Sequence, residues 1–385
     1  MLKQMPIVLL AIIISVVMIN PFLPLGLQKI MYSISISIKS LIIFILPLII
    51  FGLLFQVISN LASKATTVVL IIFFAVIISN FISTLLSQYI GMSIYQLDLS
   101  VVLPKNTLTL NEYNWALNLS PIISNDKAII FAILSGLVLG RFAPNALPSI
   151  LSFIKLYISY ILKSFTYLVP IFIIGFVIKM EYDQVIYIFA KEYISIFLII
   201  ICSQFIYIGL LYYLANNCRM NRTIISISNL FPAWLSGFST MSSAATMPIT
   251  IFGVEKNVIN KNFAKSIISS TVNIHLIGDC FAIPILAYAI MKNFDIEAPS
   301  LPMYMTFAIY FVIAKFSVAA VPGGGIIVML PILEKYLGFT KEMLSLITAL
   351  YILFDPMITS ANILGNGAFA QILDKLFIKI GLIKK

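Results

Sequence analysis

Two helix-length apolar stretches in the second half of this chain are interrupted at their centres by small polar residues or glycine. They are Ser236-Gly-Phe-Ser-Thr-Met-Ser-Ser-Ala-Ala-Thr-Met-Pro248 and Val318-Ala-Ala-Val-Pro-Gly-Gly-Gly-Ile326. A continuous membrane helix satisfies its own backbone groups, but interrupted backbone at membrane depth survives only where protein buries it or it lines a polar cavity. The segments that hold the breaks, 222–252 and 302–337, are each too short to cross a bilayer twice and too polar in the middle to cross once. A re-entrant hairpin, entering and leaving by one face, resolves the conflict. Paired broken segments of this kind point to the binding site of a secondary transporter.

Composition agrees with a bilayer setting. Of the 385 residues 61% are hydrophobic and 10% charged, more apolar than a water-soluble domain requires. The net charge of +10 forms no stripe, which argues against nucleic acid as a partner. Basic residues cluster between apolar runs, at Arg219 and Arg222, at Lys256, Lys261 and Lys265, and at Lys375, Lys379, Lys384 and Lys385. Acidic or mixed gaps alternate with them, the pattern of a multi-pass protein of the cytoplasmic (inner) membrane with both termini cytoplasmic. The first apolar run, Pro6 to Met18, lacks a small-residue cleavage site and is expected to stay as a first helix. Cys202, Cys218 and Cys280 show no metal or redox spacing and are expected in the core.

The fold class expected is an all-α polytopic membrane protein with about eight transmembrane helices plus two re-entrant helical hairpins. Spans read at roughly 5–22, 33–60, 66–91, 128–161, 162–180, 189–215, 262–291 and 342–373, with an outside loop over 92–127. Charge counting places the ends of 222–252 at the cytoplasm and those of 302–337 outside, so that two tips meet near the midplane.

Three motifs carry a family resemblance: Met241-Ser-Ser-Ala-Ala-Thr-Met-Pro248, Val321-Pro-Gly-Gly-Gly325 and Asp355-Pro-Met-Ile-Thr-Ser-Ala-Asn362. In this order and spacing the chain resembles the dicarboxylate/amino acid:cation symporter family, which includes the glutamate transporters. The resemblance implies inverted repeats, a homotrimer and an elevator motion with the second hairpin as a lid. A fixed scaffold would comprise 1–65 and 128–180. The transport unit would comprise 66–91 and 189–380.

The resemblance also assigns a substrate site. Asp355 would hold the α-amino group of an amino acid, and Asn362 would donate to its α-carboxylate. Thr359 and Asn362 follow Asp355 by four and seven residues, on one helix face. Ser242 and Ser243 at the first tip, and Val321 and Gly323 at the second, complete the site. Each polar residue has a plainer reading as an interhelical bond or a cap, and Asp355 as one partner of Lys315. Pro356 is expected to open the helix locally. Ile358 stands where members that take acidic substrates carry arginine, so the site suits a small neutral amino acid. Binding of a dicarboxylate or acidic amino acid remains the alternative, with Lys315 able to supply the missing charge.

The family's cation ligands are altered. Its Asn-Met-Asp-Gly-Thr run corresponds to Asn273-Ile-His-Leu-Ile-Gly-Asp279, where either of two registers loses the aspartate. Asn366 replaces a later aspartate, the third helix is largely apolar over Ile71–Ser79, and Lys315 lies seven residues before Pro322, where a small uncharged residue is usual. Sodium independence is expected, and no cofactor. His275, the only histidine, is either a hydrogen-bonded structural residue or part of a proton-sensitive cluster with Asp279, four residues on, and Lys315. Proton coupling through His275 and Asp279 is the expected drive, with uncoupled exchange as the fallback.

An enzyme reading rests on Leu276-Ile-Gly-Asp279, which partly matches the Gly-x-Gly-Asp of intramembrane aspartyl proteases. Its first glycine is missing, and the partner aspartate follows instead of preceding. A passive channel could also be built from glycine-rich loops. The hairpin topology makes a direct prediction. Cysteines at Ser242 and Gly324 will react with membrane-impermeant reagents, each preferentially from one side and each protected by substrate; two inert positions would contradict it.

Overall fold

The computed structural model describes residues 5–63, 67–97, 110–120, 122–123, 125–182, 185–318 and 323–382, and among these all regular structure is helical. The early helices are α1 (Met5–Ile19), α2 (Leu25–Ser63), α3 (Thr67–Gln96), α4 (Asn125–Phe142), α5 (Leu147–Tyr182) and α6 (Val185–Ala215). After them come α7 (Met220–Thr240), α8 (Ser243–Val254), α9 (Lys261–Thr271) and α10 (Ile277–Asn293). The last three are α11 (Leu301–Lys315), α12 (Gly324–Leu337) and α13 (Lys341–Lys379). Among the described residues Thr67–Gln96, Tyr193–Ala215 and Lys341–Lys379 are long and apolar enough to cross a bilayer.

Two expected boundaries move. The break placed between 161 and 162 lies instead at 143–146, where Pro144 biases the residue before it away from helical backbone. The span expected to be continuous over 262–291 is split at 272–276 into α9 and α10, with no glycine or proline to announce it. The outside loop shortens, because α3 runs on to Gln96 and α4 begins at Asn125. Of the cysteines, only Cys280 is in the core; Cys202 and Cys218 are exposed.

Among the described residues, each interruption is flanked by two helices that pack on each other. α7 and α8 pack together across a turn in which Met241 takes a left-handed φ of 50° and its N–H donates to Gly237 O at 2.9 Å. The arms approach so closely that a β-carbon on Gly253 would fall 2.7 Å from Asn229 O. α11 and α12 pack likewise, with Tyr310 and Tyr336 stacked at 4.7 Å between ring centroids.

α2 packs chiefly on α4 and α5, while α13 gathers α6, α7, α8, α9, α10 and α12 around it and α3 packs on α10. Every residue of α10 from Ile277 to Met291 is buried. In contrast α4 buries Ala128, Ile129 and Ala132 and exposes Ile130, Leu134, Leu137 and Val138, an apolar face suited to lipid.

The α2–α5 contact depends on Gly175, where an added β-carbon would lie 2.2 Å from Met31 O, a backbone atom with little freedom to yield. Gly175→Ala is therefore expected to destabilise by about 1–3 kcal/mol through overpacking. Gly209→Ala, with nothing within 4 Å, should be neutral or stabilising by roughly 0.5–1 kcal/mol through helix propensity. Thermal melting of the two purified variants checks the contrast.

Candidate functional site

Interruptions in two places, the second hairpin and the α9–α10 break, converge on one face of α13. Asp355, Thr359, Asn362 and Asn366 follow one another at helical spacing and are all buried. Asp355 Oδ2 accepts the Gly323 N–H at 2.8 Å, and its Oδ1 accepts the Thr359 hydroxyl at 2.9 Å. Gly323 has a φ of 74°, a conformation that glycine adopts without strain, and it starts the second arm of the second hairpin. Val321, expected in the site, lies outside the described residues.

Asn362 serves the start of α10. Its Oδ1 accepts the Gly278 N–H at 2.8 Å, one of the first-turn donors that no side chain of α10 itself caps. Its Nδ2 donates to Asp279 Oδ1 at 3.4 Å. Asn366 spans the α9–α10 break: Nδ2 donates to His275 O at 2.9 Å, and Oδ1 accepts the Thr271 hydroxyl at 2.8 Å.

The same break is held from the other side by α3. Asn80 Nδ2 donates to Ile274 O at 2.7 Å, and Asn80 Oδ1 accepts the Leu276 N–H at 3.2 Å. Ser79 Oγ lies 2.8 Å from His275 Nε2, and the imidazole stacks on Phe369 at 4.1 Å. Neither Asn80 nor Ser79 stands out in the sequence, where this part of the third helix is largely apolar. A lone asparagine inside an apolar helix was the available signal.

The helix break also separates His275 from Asp279. The expected shared face requires helical backbone between them, and α10 begins only at Ile277. Asp279 binds elsewhere: Lys315 Nζ donates to Oδ2 at 3.0 Å and the Tyr351 hydroxyl donates to Oδ1 at 2.8 Å. Lys315 thus pairs with Asp279 and not with Asp355. Among the described residues Asp355 accepts from two neutral donors, whereas Asp279 is charge-balanced by Lys315. Buried Asn273 Oδ1 and His275 Nδ1 find no hydrogen-bond partner among the described residues.

Ile358 is fully buried, and its backbone carbonyl packs against Gly278, where a β-carbon would fall 2.4 Å away. α13 runs unbroken through Pro356, so the local opening expected there does not occur. At the first tip Ser242 caps α8, accepting the Ala245 N–H at 3.3 Å, and Ser243 is buried beside it. This hairpin rests on α13 at Gly237, against Ile363 and Thr359, and the Ser360 hydroxyl donates to Trp234 O at 3.2 Å.

An apolar helical protein with two hairpins and a polar, doubly acidic centre belongs to the class of membrane transport proteins. The family model described as the sodium:dicarboxylate symporter family matches residues 5–376, and the chain belongs to that family. Curated relatives are similar over shorter stretches. An excitatory amino acid transporter of Onchocerca volvulus is 28% identical over 150 residues, 39% of this chain and 30% of the relative. Excitatory amino acid transporter 2 of Homo sapiens is 28% identical over 149 residues, 38% of this chain and 25% of the relative. Excitatory amino acid transporter 1 of Rattus norvegicus is 28% identical over 174 residues, covering 44% and 31%.

Asn80→Ala tests the support of the α9–α10 break. It leaves Ile274 C=O and Leu276 N–H without their α3 partner, at about 1–3 kcal/mol for each buried unsatisfied group. The variant is expected to melt clearly below wild type. Ser79→Ala, which leaves both backbone groups paired, should melt closer to it.

Proposed function

We propose that this protein is a secondary active transporter that carries a small neutral amino acid across the cytoplasmic membrane and does not use sodium. The observation that carries the reading is Asp355, a buried carboxylate that, among the described residues, accepts from the Gly323 N–H and the Thr359 hydroxyl. A carboxylate so placed favours a ligand with a positive group, such as an α-amino group. Among the described residues Lys315, bonded to Asp279, is not free for a second substrate carboxylate, and Ile358 stands where the family resemblance would place arginine in members that take acidic substrates.

The competing reading, a dicarboxylate or acidic amino acid moved with sodium, is favoured by the family's description, which names both sodium and dicarboxylate. In such a transporter the two hairpins would be re-entrant, with the second as the lid. α2, α4 and α5 belong to a scaffold that packs mainly on itself. α3 and α6–α13 would move as a unit in an elevator motion within a homotrimer.

Sodium is a poor fit at the second hairpin, because hard cations need several oxygen ligands and Asp279 Oδ2 is already bonded to an ammonium. Proton coupling through His275, in the α9–α10 break, and Asp279, in the first turn of α10, is the proposed drive. The His275 ring meets Ser79 from α3 and Phe369 from α13, and its carbonyl meets Asn366. No charged side chain is among these contacts. Exchange without a coupling ion is the fallback.

Uptake into proteoliposomes tests the whole reading. Transport of neutral amino acids should be undiminished when choline replaces sodium, and should rise with an imposed inward proton gradient. Asp355→Asn should weaken substrate binding by roughly 10–100-fold, the worth of one hydrogen bond to a charged group. A strict sodium requirement would overturn the coupling, and a wild-type preference for aspartate or succinate would overturn the substrate.

A further inference from the structure

Lys315 is the last residue of α11 and is fully buried. Its Nζ lies 3.0 Å from Asp279 Oδ2 and 4.4 Å from the centroid of the Phe311 ring. Across the same carboxylate lies the start of α12. A β-carbon on Gly325 would fall 2.5 Å from Asp279 Oδ2 and 2.2 Å from the Tyr351 hydroxyl oxygen. One carboxylate on α10 therefore touches the end of the first arm and the beginning of the second.

The charges are oriented to suit this position. Asp279 lies in the first turn of α10 and against the first turn of α12, where helix dipoles favour an anion. Lys315 lies in the last turn of α11, where a cation is favoured. An ammonium is a compact point charge on a flexible stem. Without that stem the place keeps a buried carboxylate, already braced at Oδ1 by Tyr351 and Asn362, and a gap where a charge of one ammonium's size had been.

We propose that Lys315 is a tethered counter-ion. Its ammonium occupies a monovalent-cation site between the two arms of the second hairpin and holds both on Asp279 without any ion from solution. The inference deepens the sodium-independent reading and rests on it. Shortening the side chain should open the site to a soluble cation small enough to replace the ammonium, such as methylammonium, potassium or sodium.

Thermal melting of purified protein decides this, in choline, sodium, potassium and methylammonium chlorides at equal ionic strength. Lys315→Ala should melt below wild type in choline and recover by several degrees, saturably, in at least one of the three smaller cations. Lys315→Met, which refills the space without charge, and the double variant Asp279→Asn/Lys315→Ala, which removes the anion, should not distinguish the salts. Wild type should not either. A Lys315→Ala protein that melts alike in all four salts, or that folds in none of them, would overturn the proposal. Melting involves no transport, so a sodium requirement in wild-type uptake would remove the functional reading without deciding this result.

Discussion

Backbone groups released by a helix break inside a bilayer find no water to bond with, and in this protein the polar face of α13 supplies much of what they need. Asp355 takes the Gly323 N–H of the second hairpin, Asn362 the Gly278 N–H at the start of α10, and Asn366 donates to the carbonyl of His275. Asn80 completes the α9–α10 break from α3. The interruptions that would carry function are thereby held by a regular helix running through their midst. A site supported on a rigid element holds its geometry better than one built on loops.

Charge follows the same economy. Two carboxylates are buried in the polar centre, and they are treated differently. Asp279 is matched by Lys315 and hydrogen-bonded by Tyr351 and Asn362, so it serves to join the second hairpin to its neighbours. Asp355 is left with neutral donors. The asymmetry is what separates a structural ion pair from a carboxylate that can still attract a charged ligand, and it underlies the substrate and coupling proposed above.

The two hairpins were legible in the sequence because serine, glycine and proline inside apolar runs change the backbone directly. The polar face of α13 was legible because helical spacing from Asp355 fixes which residues share it. The α9–α10 break was not legible. Val272 to Leu276 contains no glycine or proline, and the break exists because Asn80 and Asn366, distant in sequence, satisfy it. That unseen break also misplaced His275, whose expected face with Asp279 assumed helical backbone. For Lys315 the sequence offers both Asp355 and a cluster with Asp279, and the tertiary packing of α10 and α11 selects Asp279. Pro356 misled in the opposite direction: a proline lowers helix stability locally, yet the helices packed around α13 hold it continuous.

At these interruptions, backbone N–H groups are satisfied by side chains of other helices. Hydrogen–deuterium exchange in lipid nanodiscs tests this most directly, followed at the amides of Gly278 and Gly323. Both should exchange slowly in wild type, although neither amide has its partner within its own helix. Asn362→Ala should speed Gly278 by at least about tenfold through local opening while leaving Gly323 slow. Rapid exchange at both glycines in the wild-type protein would contradict the account.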